Sequence, residues 1–183
     1  IVLITNPRDM PGFVKELGHW KFSVMTGVNT LFNGLLHTPG FDKLDFSALK
    51  VVIGGGAAVQ KPVAERWQQV TGSYLTEAYG LTETSPGVCC IPLNTPWNGS
   101  IGLPIPSTDV TIRDENFNVL PVWTGAGDIE KHTGEICVNG PQVMKGYWNN
   151  PAETAKVIQD GWLKTGDIGY LDAEGRVTLT DRK

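Results

Sequence analysis

In the stretch Thr76-Glu77-Ala78-Tyr79-Gly80-Leu81-Thr82-Glu83-Thr84, the five residues from Tyr79 to Glu83 set an aromatic face, a glycine, a hydroxyl and a carboxylate just after an apolar strand pattern. The Tyr79 ring can stack on a purine, and the Thr82 hydroxyl can bond a phosphate oxygen. The Glu83 carboxylate offers a divalent cation a hard oxygen ligand. A loop followed by one helical turn points all three groups toward one cavity. The same letters also describe a buried tyrosine followed by a helix start capped in the pattern Thr82-Glu83-Thr84.

Three other stretches could meet a nucleotide. Gly161-Trp162-Leu163-Lys164-Thr165-Gly166-Asp167 ends a strand pattern on a glycine and sets a carboxylate just beyond it. Such a carboxylate can accept two hydrogen bonds from a ribose diol, although Gly166-Asp167 is equally the sequence of a hairpin turn. Val51-Val52-Ile53-Gly54-Gly55-Gly56-Ala57-Ala58 closes a strand on small residues. That lets backbone groups approach adenine or a carboxylate, or makes a tight strand-to-helix turn. Asp181-Arg182-Lys183 supplies a guanidinium fork for ribose hydroxyls or phosphate, or is an exposed charge cluster. Gly99-Ser100-Ile101-Gly102-Leu103-Pro104 taken alone is an ordinary turn. Gly134-Glu135-Ile136-Cys137-Val138, Gly146-Tyr147-Trp148 and Asn150-Pro151 read as scaffold, with Glu135 as an ion-pair or strand-edge charge.

The elements that must hold these residues fall into two kinds. Up to about residue 86, short apolar runs alternate with helical patterns. Phe13, Val14 and Leu17 fit a helix, Phe22 to Met25 a strand, and Val28 with Leu31, Phe32, Leu35 and Leu36 a second helix. Val51 to Ile53 is a strand, Pro62 to Val70 a helix with Val63, Trp67 and Val70 on one face, and Ser73 to Thr76 a returning strand. This predicts an α/β sublobe over 1–86, a parallel sheet with flanking helices, whose ligand loops lie at the carboxyl ends of the strands. Over 87–183 glycines and prolines punctuate brief β-type runs at Val110 to Ile112, Glu135 to Val138, Trp162-Leu163 and Val177 to Leu179. These predict a smaller β-rich, barrel-like unit. The Gly-, Thr- and Asp-rich stretch from Trp123 to Thr133 reads as a mobile or surface loop.

Composition narrows the function classes. With 183 residues the chain can bury a sizeable core. Its 15 basic against 19 acidic residues, with no basic run, exclude nucleic acid as a partner. No apolar stretch approaches the roughly 20 residues of a membrane span. This implies no transmembrane segment and a cytoplasmic protein. Cys89, Cys90 and Cys137 form no disulfide framework or metal-ligand spacing and read as packing thiols in a reducing compartment. The chain opens at Ile1, without methionine, on the run Ile1-Val2-Leu3-Ile4. That reads as a buried strand and as a piece of something longer.

In their order along the chain, Tyr79 to Glu83, Thr165-Gly166-Asp167 and Asp181-Arg182-Lys183 resemble the ATP-dependent adenylate-forming (AMP-binding) enzymes. The resemblance runs over nearly the whole chain. Within that family, Gly27-Val28-Asn29-Thr30-Leu31-Phe32-Asn33, Gly54-Gly55-Gly56 and Gly140-Pro141-Gln142-Val143-Met144 are most similar to the long-chain fatty-acid:CoA ligases. The resemblance implies part of the large N-terminal domain of such an enzyme, ending at the hinge to a C-terminal domain. It implies fatty acid, ATP and coenzyme A as substrates and Mg2+ as cofactor, and leaves room for peripheral association with the inner membrane surface. It places Gly55, Gly56, Ala57, Glu77, Ala78, Tyr79, Gly80, Thr82, Asp167 and Arg182 on the nucleotide, with Thr82 and Glu83 catalytic and Glu83 the magnesium ligand. An aryl-acid:CoA ligase or a peptide-synthetase adenylation domain would share Tyr79-Gly80 and Asp167, and so would a non-catalytic nucleotide-binding module.

The family's Ser/Thr/Gly-rich phosphate loop ending in Pro-Lys-Gly, and its C-terminal domain with the adenylation lysine, are not in these residues. The isolated chain is therefore expected to make no acyl-CoA. Two departures stand out: Ala78 occupies a position where glycine is commoner, and 125–133 is longer than the usual turn. Val28, Phe32 and Val88 are candidates for an apolar acyl pocket or for ordinary core.

Overall fold

The computed structural model describes residues 1–182, so Lys183, grouped above with Asp181 and Arg182, lies outside the described residues. Two compact units emerge, Ile1–Glu77 with Pro92–Asn98, and Ala78–Ile91 with Gly99 onward. The border expected at 86/87 falls inside the second unit. The physical reason is a hairpin-like return: Gly87–Cys90 pairs antiparallel with Ala78 to Gly80, which keeps both sides of residue 86 in one ladder.

In the first unit, strands β1 (Val24–Gly27), β2 (Val51–Gly54) and the start of β3 (Leu75–Gly80) pair in parallel, Val24 beside Val51 and Val52 beside Leu75. Helix α1 (Met10–Leu17) precedes β1, and α2 (Asn29–Leu36) and α3 (Lys61–Thr71) occupy the β1–β2 and β2–β3 connections. Helices α1 and α3 begin or end on residues suited to those positions. The Asp9 carboxylate accepts the Gly12 amide at 3.0 Å to cap α1, and Pro11 and Pro62 sit in first turns, where no intrahelical donor is lost. Gly72, at φ +73°, closes α3 in the left-handed conformation. The buried faces are those the sequence periodicity predicts: Phe13, Val14 and Leu17 on α1, Phe32, Leu35 and Leu36 on α2, and Val63 and Trp67 on α3.

These faces meet in an aromatic cluster. Phe32 lies edge-on to Trp67 at 4.9 Å and Phe41 tilts against the same indole at 5.4 Å. Phe32 and Trp67 are fully buried there, so Phe32 serves the core. Val28 is exposed instead. The run Ile1 to Ile4 is not the buried strand expected. Ile1, Val2 and Leu3 are exposed and pair with no strand of the described residues, so water rather than a ladder partner meets their amides and carbonyls.

The second unit is β-rich. The end of β3 pairs with β4 (Gly87–Cys90), and β4 with β5 (Leu103–Pro104), all antiparallel. A separate antiparallel sheet runs in the order β10 (Val177–Arg182), β9 (Trp162–Leu171), β7 (Gly134–Asn139), β6 (Asp109–Arg113), with β8 (Ile158–Gln159) beside β9. No pairing between β10 and β6 closes it into a barrel among the described residues. Its core joins Val88, Cys89, Ile101, Ile112, Ile136, Val138 and Val177, which accounts for Val88 and for the Cys89 thiol as packing groups. A short helix, α4 (Pro151–Val157), starts at Asn150, whose side chain accepts the Glu153 amide at 3.3 Å. The 123–133 stretch is largely exposed and contains a 3-10 turn, Ile129–His132, capped by Asp128. Among the described residues no helix is long and apolar enough to cross a membrane.

Two quantities in the first unit can be tested by unfolding. Replacing the fully buried Trp67 by alanine removes the ring on which Phe32 and Phe41 converge. It should cost roughly 3–5 kcal/mol, read as a lower urea midpoint. Glu77 is 6% exposed, and burial pushes its carboxyl from the ordinary 4.5 up to about 7, against a smaller downward pull from the Val59 amide. A carboxyl raised in the folded state contributes stability that is complete below its unfolded pKa and is lost as pH rises through the folded one. Wild type should therefore lose roughly 3 kcal/mol relative to Glu77→Gln between pH 4.5 and just above 7. Urea unfolding of both proteins at pH 5 and pH 8 checks the sign.

Candidate functional site

The second unit brings together two side chains that are far apart in sequence. The Tyr79 hydroxyl donates to Asp167 Oδ2 at 2.6 Å. Asp167 sits within β9, whose alternate residues Leu163, Thr165, Asp167 and Gly169 are buried. The expected end of the strand at Gly166 is therefore not an end: β9 continues to Leu171, and neither the strand stop nor the hairpin turn applies. What the glycine supplies is an irregularity inside the strand. Cys137 pairs with Lys164 and Glu135 with Ile168, so two residue steps on β7 face four on β9. Gly166 takes φ +76°, open to glycine at little cost.

Three bonds fix this bulge. The Gly166 amide donates to Glu135 Oε1 at 3.0 Å, the Asp167 amide to Thr165 Oγ1 at 3.1 Å, and the Thr165 hydroxyl to the Ile136 carbonyl at 2.8 Å. Glu135 is thus a buried bracket for the bulge; of the two roles expected from sequence, ion pair or strand-edge charge, the second is excluded because β7 is an interior strand. It opens a run, Glu135 to Val138, that is buried at every position and leaves the carboxylate no route to water. Arg182 stands opposite Asp167 in the β10–β9 register, and its Nε approaches Asp167 Oδ1 at 3.4 Å. Asp167 is almost wholly buried while Arg182 is largely exposed. Burial, then the bond to Asp167, pushes the Tyr79 hydroxyl well above the ordinary phenol range, so it stays protonated as the donor of this pair.

Beyond Tyr79 the chain is held by a close approach. Gly80 faces Gly87 across the ladder, and a Cβ at Gly80 would overlap the Pro86 carbonyl oxygen. A 3-10 turn follows, Thr82–Thr84, in which the buried Thr84 hydroxyl donates to the Pro86 carbonyl at 2.6 Å, with the Leu81 carbonyl 3.0 Å away, and accepts the Leu81 amide. This leaves Thr82 exposed and Glu83 partly exposed at the head of the turn. The Glu83 Oε1 accepts the Tyr147 hydroxyl at 2.8 Å, and the Glu83 carbonyl accepts the Met144 amide at 2.8 Å. Among the described residues no group of three or more His, Cys, Asp and Glu is placed to hold a metal ion. A single carboxylate with one oxygen so engaged fits magnesium, which keeps several waters and completes its shell with substrate phosphate. Tyr147 was not legible as a site residue, for nothing in the sequence links it to Glu83.

The remaining candidates belong to the first unit. Gly54 is buried at the end of β2, where a Cβ would press on Leu75 and Val59. Gly55 is partly buried and donates its amide to the Gly27 carbonyl at 3.1 Å, while Gly56, at φ +75°, and Ala57 are exposed. Glu77 pairs with Gly54 across the parallel ladder. In the second unit, Ala78 pairs with Cys90 on β4.

The chain is 52% identical to a long-chain-fatty-acid–CoA ligase of Yersinia pestis over its whole length, yet it spans only 31% of that protein. Two solved structures share the fold. The amide bond synthetase McbA from Marinactinospora thermotolerans matches with a TM-score of 0.84 at 28% identity, over 95% of this chain and 34% of that one. ATP-bound MatB from Rhodopseudomonas palustris matches with a TM-score of 0.80 at 29% identity, over 95% and 33%. The model of the AMP-binding enzyme family matches residues 1–148, and the chain belongs to that family.

Proposed function

We propose that this chain is part of a long-chain fatty-acid:CoA ligase, within the large N-terminal domain of the parent enzyme. In that reaction a fatty carboxylate attacks the α-phosphate of ATP and pyrophosphate leaves; the thiol of coenzyme A then takes the acyl group from the adenylate, and AMP leaves. The observation that carries the reading is the 2.6 Å bond from Tyr79 to Asp167, which joins an aromatic face and a buried carboxylate at one place in the second unit. The 52% identity to the Yersinia pestis ligase over the whole chain favours a long-chain acid over the aryl-acid and amino-acid branches.

Each residue then has a task. The Tyr79 ring packs against the purine while its hydroxyl holds Asp167 in place. Asp167 accepts hydrogen bonds from the ribose hydroxyls, and Arg182, exposed beside it, donates to ribose or phosphate. Thr82 bonds a phosphate oxygen, and Gly80 keeps the backbone close enough for that turn to form. In the first unit Gly55, Gly56, Ala57 and Glu77 are assigned to the nucleotide, as is Ala78 in the second. Glu83 would hold Mg2+, which supplies charge neutralisation at the transferring phosphorus when bound. Orientation and electrostatics do most of the work in such a transfer. A cytoplasmic location, with room for peripheral contact at the inner membrane surface, goes with this reading.

Pyrophosphate release by the full-length protein tests it. Palmitate should support turnover while benzoate and amino acids do not, and the 183-residue chain alone should release none. Preference for benzoate or an amino acid would move the protein to another branch. In the same assay Tyr79→Phe keeps the ring and removes the bond to Asp167. Since a hydrogen bond to a charged group is worth about 1.5–3 kcal/mol, the KM for ATP should rise about tenfold or more.

A further inference from the structure

Glu83 is held from outside its own turn, by the segment around Gly146. The Met144 amide reaches the Glu83 carbonyl at 2.8 Å, and the Tyr147 hydroxyl donates to Glu83 Oε1 at 2.8 Å. Between them Gly146 adopts φ +147°, and a Cβ there would run into the Thr154 side chain at 2.7 Å. The backbone beyond is anchored to α4: the Tyr147 amide donates to Thr154 Oγ1 at 2.9 Å, and that hydroxyl donates to the Asn150 carbonyl at 2.9 Å. Asn150 in turn caps the helix. The phenol is therefore delivered from a capped helix end through a bend that admits only glycine without strain.

We propose that Tyr147 is a positioning residue, which ties down Glu83 Oε1 so that the carboxylate presents Oε2 to a divalent cation on the nucleotide phosphates. The proposal rests on the reading of Glu83 as the magnesium ligand. A group that hydrogen-bonds a metal ligand fixes its orientation and raises affinity without touching the metal. The α4 cap, the Gly146 bend and the hydroxyl of Tyr147 form one strut for that purpose.

Binding of Mn2+, as a stand-in for Mg2+, to the full-length protein in the presence of ATP is measured by electron paramagnetic resonance. Tyr147→Phe should weaken Mn2+ binding about tenfold with an unchanged melting temperature, because the ring edge it alters is partly exposed. Glu83→Gln should weaken it at least as much, and the double variant should be no worse than Glu83→Gln, since Tyr147 acts only through that carboxylate. Wild-type or tighter Mn2+ binding by Tyr147→Phe, with loss in Glu83→Gln, overturns the positioning role alone. An additional loss in the double variant does the same. Wild-type binding by Glu83→Gln removes Glu83 as the ligand and takes the proposal with it.

Discussion

A carboxylate withdrawn from water is tolerated only where donors meet its oxygens, and Asp167, almost wholly buried in β9, has Tyr79 on one oxygen and Arg182 on the other. Much of the second unit's architecture serves to bring these partners to it. The bulge at Gly166 turns the strand locally, Glu135 and Thr165 hold that turn, and β10 runs beside β9 in the register that sets Arg182 opposite. The two partners differ in character. Tyr79 is a half-buried neutral donor fixed by its own strand. Arg182 is an exposed cation on another strand, paired with the carboxylate from the solvent side.

The same division between buried and exposed recurs around Glu83. Thr84 is buried with its hydroxyl among backbone groups, whereas Thr82 is exposed and Glu83, partly exposed, has Oε1 taken by the Tyr147 hydroxyl. The Gly80–Gly87 contact makes that arrangement compact. It is a backbone-to-backbone approach that any side chain at Gly80 would obstruct.

Local patterns in the sequence carried the first unit well. The spacing of Phe13, Val14 and Leu17, of Phe32, Leu35 and Leu36, and of Val63 and Trp67 is a helical stripe, and each stripe is buried. Val51 to Ile53 is a strand as its apolar run predicts. What failed were inferences about pairing. Ile1 to Ile4 has a strand's composition but no ladder partner, and Gly166 has a turn's composition inside a ten-residue strand. A glycine between polar residues reads alike whether it stops a strand or kinks one, because the difference lies in the register of β7. Helix α4 was missed because none of its residues is buried, so it has no apolar stripe to read. For the site, the residue types at Tyr79, Glu83 and Asp167 were legible. The groups that aim them, Glu135, Thr165 and Tyr147, were not, since each acts through a contact with a distant segment.

The extra length that β9 carries opposite β7 also limits which changes of chain length the molecule can absorb. Side chains on a strand alternate between faces, so removing one residue between Lys164 and Ile168 would swing every later side chain of β9 to the other side of the sheet. The exposed stretch around Gly125 and Gly127 has no such parity to keep. Insertions and deletions there would leave the sheet in phase, whereas a single lost codon beside Gly166 would take the carboxylate away from the tyrosine.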